Sequence, residues 1–344
     1  MSPTILTITL SSLATGTVIT MTSYHWLAAW VGLELNTLAI IPVISTMHNP
    51  RATEAATKYF LTQAAASALI LFSSMINVWQ TGTWDITGPL ASPTHIMLTL
   101  ALAMKLGLAP THFWLPEVLQ GSPLTTALII TTWQKLAPMA LIYLTVDSLS
   151  TTLLMVLGIL SSVVGGWGGL NQTQTRKIMA YSSIAHLGWM TSISSIMTNL
   201  MIFNLMVYLI MTTALFCFLI TSKSKTIQNT TTAWSFSPTM AAMTMILLLS
   251  LGGLPPLTGF APKWLILKEL VTQNLAPMAT IMAMSALLSL FFYLRLTYTT
   301  TLTLSPNTTQ TKFKWRFKPD LPKLLMMLST VSTLLLPMIP LNLL

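Results

Sequence analysis

Long apolar stretches separated by short polar connections make up almost the whole chain. A helix that spans a bilayer needs about 20 apolar residues, and on that basis the sequence holds about eleven candidate spans. They lie near residues 3–21, 24–45, 56–79, 94–121, 123–145, 150–170, 176–197, 199–220, 238–270, 275–298 and 322–343. These runs are too long and continuous for barrel strands, and a backbone in lipid must pair its polar groups internally. The pattern predicts an all-α polytopic membrane protein.

The composition agrees with a membrane location. Of the 344 residues, 53% are hydrophobic and only 7% are charged, whereas an ordinary soluble domain is about 25% charged. The formal net charge of +9 raises the question of a nucleic-acid partner. The basic residues cluster between apolar segments and form no separate polar domain, so no nucleic-acid partner is predicted.

The distribution of charge predicts an orientation. Counting spans from the N-terminus places one set of connections on the N-terminal side, near residues 46–55, 122, 171–175, 221–237 and 299–321. Most basic residues gather at these connections, whereas Asp85 and Asp147 lie on the opposite side. By the positive-inside rule, the N-terminus lies on the matrix or cytoplasmic side and the C-terminus opposite. The stretch Lys312–Lys323 alternates basic and apolar residues, which predicts an interfacial segment at anionic headgroups.

Four ionisable residues lie near the middle of their spans. They are Glu34, Lys105, Lys135 and Lys263. Each lies roughly 15–18 Å into a hydrocarbon core about 30 Å thick, where a charge costs at least about 3 kcal/mol. Glu34 and Lys105 could form a buried ion pair that only holds two helices together, but three lysines outnumber one acid. Since removal from water favours the neutral amine, an unpaired buried lysine is able to exchange protons near neutral pH. The four residues are therefore candidates for a proton relay.

Two of the apolar runs contain residues that interrupt helices. The first, LGLAPTHFWLPE at 106–117, contains Gly107 and Pro110, and the second, LGGLPPLTGFAPKW at 251–264, contains Gly253, Pro255 and Pro256. Proline lacks a donor and clashes with the carbonyl four residues back, so both runs are predicted to be discontinuous helices. Each break adjoins a buried lysine. Interrupted helices beside buried charge indicate an ion pathway, with a merely kinked packing helix as the alternative.

The two breaks also indicate an internal repeat. They align on the dipeptide Leu-Gly and are separated by an odd number of crossings, so the two copies have opposite topology, as in many transporters. The predicted organisation is one antiporter-like transmembrane domain. It comprises a first five-helix repeat (1–148), a second, inverted repeat (149–298), a basic connection (299–321) and a C-terminal helix (322–344).

Two histidines are further candidates. His112 lies in the first break and His186 in the seventh span. Imidazole titrates near about pH 6.5, so either residue could relay protons. Alternatively, either could be a neutral core residue that makes hydrogen bonds. No Cys–His or His–carboxylate cluster has metal-ligand spacing, and no phosphate-binding glycine loop or nucleophile triad is present. Neither a metal nor a redox cofactor is predicted in this chain.

Four motifs together carry a family resemblance. WVGLELNTLAIIPVI, KLGLAPTHFWLPE, RKIMAYSSIAHLGWM and LGGLPPLTGFAPKW resemble the antiporter-like membrane subunits of respiratory complex I, nearly end to end. The resemblance implies two inverted five-helix repeats, each with one discontinuous helix. It also implies a proton path through a glutamate paired with a lysine, a central lysine and a terminal charged residue, in the order Glu34, Lys105, Lys135, Lys263. The family's usual second histidine following WLP is absent, because the corresponding stretch here is Glu117-Val118-Leu119.

The resemblance also implies a function. Such a chain would be a proton-translocating core subunit of the complex I membrane arm, in the mitochondrial inner membrane. NADH, FMN, the iron–sulfur clusters and ubiquinone would be handled by other subunits. The expected partners are other membrane-arm subunits, including further antiporter-like ones, and lipids such as cardiolipin. Two alternatives remain at this stage, namely an autonomous cation/proton antiporter and a non-pumping structural subunit.

Overall fold

A computed structural model describes residues 3–232, 234, 237–303 and 323–334. Within these residues every regular element is a helix, and strands do not occur. The helices are α1 (Pro3–Thr22), α2 (Trp26–Ile44), α3 (Pro50–Thr81), α4 (Thr94–Leu106), α5 (Trp114–Gly121), α6 (Leu124–Thr131), α7 (Trp133–Thr145), α8 (Thr151–Gly169), α9 (Thr175–Ser194), α10 (Thr198–Ser222), α11 (Ile227–Thr231), α12 (Pro238–Gly252), α13 (Phe260–Thr272), α14 (Ala276–Leu302) and α15 (Lys323–Leu334). The expectation of an all-α chain is confirmed.

Seven of these helical segments are long and apolar enough to cross a membrane, counted within the described part of the chain. They are α1, α2 with its 3₁₀ turn, α3, α6 continued by α7, α8, α10 and α14. The protein is therefore a multi-pass membrane protein. The count of about eleven spans and the inverted repeats stay predictions.

Both predicted helix interruptions are present. The run 94–121 divides into α4 and α5, with residues 107–113 in turns between them. The run 238–270 divides into α12 and α13, with residues 253–259 between them. Each half is shorter than a bilayer-spanning helix, so backbone groups at mid-membrane depth must find partners outside their own helix.

Local chemistry sets where α3 begins and ends. Pro50 stands at its first turn, where a missing N–H costs nothing, and Gly82 ends it with φ of +75°. The helix therefore runs beyond the predicted span 56–79 at both ends. The predicted span 123–145 is observed as α6 and α7, separated at Thr132. The predicted interfacial segment 312–323 lies outside the described residues, apart from Lys323 at the start of α15.

The described residues fall into two compact units. Unit 1 consists of the residues up to Val164 together with Ser183–Thr198, and unit 2 of Gly165–Ser182 together with the residues from Asn199 onward. Glu34, Lys105 and Lys135 belong to unit 1, and Lys263 belongs to unit 2. The predicted repeat boundary at 148/149 is a statement about topology and stays a prediction.

Unit 1 brings α1 and α2 together through small residues. A Cβ atom added at Gly16 would lie 2.9 Å from the carbonyl oxygen of Gly32, and one added at Gly32 would lie 2.8 Å from that of Gly16. Close approach through small residues is a common way for membrane helices to pack. A Cβ atom added at Gly16 would also lie 2.5 Å from Oδ1 of Asn36, so the glycine leaves space for that side chain.

Candidate functional site

The first broken helix ends on a glycine that exposes carbonyl oxygens. Gly107 has φ of +77°, and its N–H donates to the carbonyls of Ala103 and Met104 at the end of α4. This left-handed cap pairs the carbonyls of Ala103 and Met104 but gives no partner to the carbonyl of Leu106. The carbonyl of Leu106 is therefore available to a donor from another element.

Lys135 supplies that donor. Its side chain is 1% exposed, and its Nζ donates to the Leu106 carbonyl oxygen from α7. The same nitrogen lies 5.7 Å from the ring centroid of Trp114, the first residue of α5. A helix C-terminus carries partial negative charge and an aromatic face attracts a cation, so both halves of the break stabilise this ammonium group without a carboxylate.

The second broken helix, in unit 2, has the same arrangement. Gly253 has φ of +81° and ends α12, donating its N–H toward Leu249 and Ser250. Lys263 on α13 is 8% exposed. Its Nζ lies 3.0 Å from the carbonyl oxygen of Gly252 and 3.5 Å from that of Leu251. This lysine also binds the carbonyl end of a half-helix.

A side chain at the Gly253 position would press against Lys263. A Cβ atom there would lie 3.0 Å from both Cδ and Nζ of Lys263. The positive φ therefore favours glycine, and any Cβ atom here would displace the Lys263 side chain.

Glu34 and Lys105 interact at a distance. Lys105 is 5% exposed in the last turn of α4, and within the described residues its Nζ has no hydrogen-bond partner. The half-buried Glu34 carboxylate acts electrostatically on the Lys105 ammonium group. Within the described residues, however, Glu34 and Lys105 form no salt bridge within 4.0 Å. Glu34 Oε2 instead accepts a hydrogen bond of 3.0 Å from the Thr37 hydroxyl.

A small cavity adjoins the two lysines of unit 1. Its volume is about 10 Å³, which is about the space that one water molecule needs. Its lining is Leu33, Asn36, Thr37, Tyr59, Gln63, Lys105, Trp114, Ile130, Gln134, Lys135, Ala137 and Pro138. The cavity therefore brings together Lys105, Lys135 and several uncharged polar side chains.

The two candidate histidines lie apart from this cavity. His112 is 6% exposed in the first break, and within the described residues its Nδ1 has no partner. His186 is also 6% exposed and lies on α9. Neither ring is part of the cavity lining. Their proposed relay role stays a prediction.

Several polar residues at the site were not predicted from the sequence. Asn36, Thr37, Gln63 and Gln134 are uncharged, so a search for costly charges passes over them. Their only sequence signal is an amide or hydroxyl in an apolar run. Arg295 was also missed. It lies near the end of α14 in unit 2 and donates to the carbonyls of Leu170 and Gln172, which follow α8.

An exposed cluster ties α5 to α3 in unit 1. Lys58 Nζ lies 2.5 Å from Glu54 Oε1 on its own helix and 2.6 Å from Glu117 Oε2 on α5. Glu117 begins the stretch Glu117-Val118-Leu119, in which the resemblance leads one to expect a histidine. It joins the second half of the broken helix to its neighbour.

No group of three or more His, Cys, Asp or Glu side chains in the described residues is arranged to hold a metal ion.

Buried lysines at the carbonyl ends of broken membrane helices define this chain as an antiporter-like membrane subunit. The family model described as NADH:quinone oxidoreductase/Mrp antiporter, transmembrane, matches residues 23–289, and the one described as NADH dehydrogenase subunit 2 C-terminus matches residues 290–343. The chain belongs to the NADH-ubiquinone oxidoreductase chain 2 family. The relative of that name from Varanus timorensis is 57% identical over 342 residues, covering 99% of both chains. The one from Xenopus laevis is 56% identical over 347 residues, covering 100% of both.

Solved structures support the same fold. A chain of respiratory complex I from Thermus thermophilus is similar, with a TM-score of 0.81 and 27% identity, over 94% of this chain and 78% of that one. A chain of the Mrp complex from Dietzia sp. has a TM-score of 0.79 at 17% identity, over 96% of this chain and 73% of that one. The second likeness concerns the fold alone.

Proposed function

We propose that this chain is a proton-translocating subunit of the membrane arm of respiratory complex I, in the mitochondrial inner membrane. It would be one part of the NADH:ubiquinone reductase that couples electron transfer in other subunits to proton movement. The observation that carries the proposal is the placement of Lys135 and Lys263 at the open carbonyl ends of two broken helices. The family membership and the likeness to a chain of complex I support it.

The proposed relay runs in the order Glu34, Lys105, Lys135, Lys263. A change of charge on Glu34 alters how strongly the Lys105 ammonium is stabilised, because the two groups interact electrostatically. A unit charge about 5 Å away changes a neighbour's energy by about 3 kcal/mol at an effective dielectric constant of about 20. That is enough to change which group holds a proton. His112 and His186 are proposed as additional relay groups.

The chemistry of electron transfer lies in other chains under this proposal. NADH, FMN, iron–sulfur clusters and ubiquinone would bind to partner subunits, and this chain would bind no cofactor of its own. The proposed partners are further membrane-arm subunits, including antiporter-like ones, with lipids such as cardiolipin at the surface. The N-terminus would face the matrix and the C-terminus the intermembrane space, as the distribution of basic residues predicts.

Substitution of Lys135 by Met tests this function. Met keeps the apolar stem and removes the charge, so the assembled complex should translocate fewer protons for each NADH oxidised. The matched control is Lys225→Met, which removes an exposed lysine after α10, and its proton-to-electron ratio should equal that of the wild type. An unchanged ratio in an assembled Lys135→Met complex would indicate a structural subunit.

The autonomous antiporter makes a different prediction. Reconstituted alone in vesicles, it would exchange cations for protons, whereas a subunit driven by its complex would not. The proposed function also requires that the chain copurify with flavin and iron–sulfur subunits. Exchange activity of the isolated chain without such copurification would contradict it.

A further inference from the structure

The second broken helix, in unit 2, folds back tightly on its own first half. The two prolines of the break are exposed and have no N–H to donate, whereas Thr258 and Gly259 are buried. A Cβ atom added at Gly259 would lie 1.8 Å from the carbonyl oxygen of Ser250. The chain therefore returns from the break directly against the end of α12, whose last carbonyls accept from Lys263.

Thr258 attaches this turn to α15. Its side chain is 2% exposed, and its hydroxyl donates to the backbone carbonyl of Ser332. The Ser332 hydroxyl donates to the Ser329 carbonyl of its own helix, at 2.8 Å. The acceptor of Thr258 is thus a buried backbone oxygen, 74 positions later in the chain.

Met211 of α10 packs against the same turn. Its sulfur lies 3.5 Å from the Ser250 hydroxyl and 4.0 Å from the Thr258 hydroxyl. A thioether sulfur is a weak hydrogen-bond acceptor that adapts its shape to a gap. Met211 therefore fills the space beside the turn, and the Ser332 carbonyl is the strong acceptor of Thr258.

The position of this turn decides what Lys263 can bind. Thr258 stands just before α13, and Lys263 lies in the first turn of that helix. Its Nζ lies 3.0 Å from the Gly252 carbonyl oxygen at the end of α12. The attraction between a cation and a helix end falls off within the last turn. A small displacement of the start of α13 would therefore take the Lys263 ammonium group away from its acceptors.

We propose that Thr258 is a positioning residue for proton transfer through Lys263. Its bond to Ser332 holds the start of α13 against the end of α12, so that the Lys263 ammonium group stays on the α12 carbonyls. The inference rests on the proposed function and adds to it a role for α15, whose backbone fixes the second break. Thr258 itself neither gives nor takes the transferred proton.

Threonine variants of the assembled complex test this role. Thr258→Val keeps the shape and removes the hydroxyl. The loss of one ordinary hydrogen bond changes a local equilibrium by roughly fivefold, so the proton-to-electron ratio should fall, but by less than in Lys263→Met. Thr258→Ser retains the hydroxyl and should recover most of the wild-type ratio. In the Lys263→Met background, Thr258→Val should lower the ratio no further, because a residue that acts through Lys263 then has nothing to position.

Two control variants remove neighbouring hydroxyls that bond only their own helix. Thr244 lies on α12 and donates to the Ala241 carbonyl, at 2.7 Å. Thr333 lies on α15 and donates to the Ser329 and Thr330 carbonyls, at 3.1 Å each. Thr244→Val and Thr333→Val should both have the wild-type ratio. A loss in either control equal to that in Thr258→Val would show that any polar change in these helices has the same effect, and would overturn the inference.

The outcomes separate positioning from the proposed function. A wild-type ratio in assembled Thr258→Val, or equal losses in Thr258→Val and Thr258→Ser, would contradict the role of the hydroxyl. A further loss in the Lys263→Met background would also contradict it, because that effect would not pass through Lys263. If Lys135→Met still lowers the ratio in these cases, the proposed function stands and only the positioning role fails.

A second measurement does not depend on whether the variants assemble. A structure of the wild-type complex should place the Thr258 hydroxyl within about 3 Å of the Ser332 carbonyl oxygen. A Thr258 hydroxyl bonded to another acceptor in that structure would overturn the inference.

Discussion

Each broken helix binds a lysine side chain through a free backbone carbonyl, but the lysine lies on a different kind of element in the two cases. At the first break the donor is Lys135, on a separate helix 29 residues beyond its acceptor Leu106. At the second it is Lys263, on the second half of the same broken helix, 11 residues beyond Gly252. In both cases the acceptor is a carbonyl freed by a glycine cap. The backbone geometry is thus repeated, whereas the element that supplies the cation is not.

This comparison explains a charge imbalance. The sequence predicts three lysines and one acid at mid-membrane depth, and one carboxylate cannot balance three ammonium groups. The carbonyl ends of two half-helices stabilise Lys135 and Lys263, and Glu34 acts on Lys105. The C-terminal end of a half-helix carries partial negative charge, so it can stabilise an ammonium group inside the membrane, where an isolated charge would be costly.

The largest expected difference between the breaks concerns their glycines. Alanine at either position adopts a positive φ at a cost of about 1–2 kcal/mol. At Gly253 the new methyl group also meets the Lys263 side chain, whereas at Gly107 it meets Trp114 and Leu115 at 3.2 and 3.3 Å. We expect both variants to reduce the amount of assembled complex, and Gly253→Ala to lower the proton-to-electron ratio further.

Proton-to-electron ratios are compared only between complexes normalised for assembly. Equal ratios in Gly107→Ala and Gly253→Ala would show that the lysine contact has no functional effect.

A smaller effect on proton translocation is expected when a contact that stabilises one of the breaks is removed. Glu117 pairs with Lys58 at the first, and the Thr258 hydroxyl donates to the Ser332 carbonyl at the second. Exposed ion pairs contribute little to stability. We therefore expect Glu117→Gln to leave the proton-to-electron ratio unchanged and to make the α5 region slightly more sensitive to protease. A clear loss of proton translocation would mean that Glu117 itself takes part in proton transfer.

Much of this arrangement is visible in the sequence because it depends on residue type and spacing. Apolar runs predict the helices, and Gly107, Pro110, Gly253, Pro255 and Pro256 predict the two interruptions. A charge in an apolar run is expensive, so Glu34 and the three lysines are conspicuous. Both interruptions are confirmed by the structure.

What the sequence does not reveal are the partners of these residues. The acceptors of Lys135 and Lys263 are backbone carbonyls, which every residue has, so no residue type marks them. Thr37, Asn36 and Gln63 become relevant only once α2, α3, α4 and α7 enclose a common cavity. Arg295 lies near the end of its predicted span 275–298, where a charge is less costly, so it was not conspicuous. Its acceptor Leu170 lies 125 residues away along the chain, which no local pattern reveals.

The central claim is that Lys135 and Lys263 are successive stations of one proton path. The most direct test compares the proton-to-electron ratio of Lys135→Met, Lys263→Met and the double variant in assembled complexes. Groups that act in series are strongly non-additive, so the double variant should translocate as many protons per NADH as either single variant, and fewer than the wild type. A double variant that loses the sum of the two single effects, or that retains the wild-type ratio, would contradict the account.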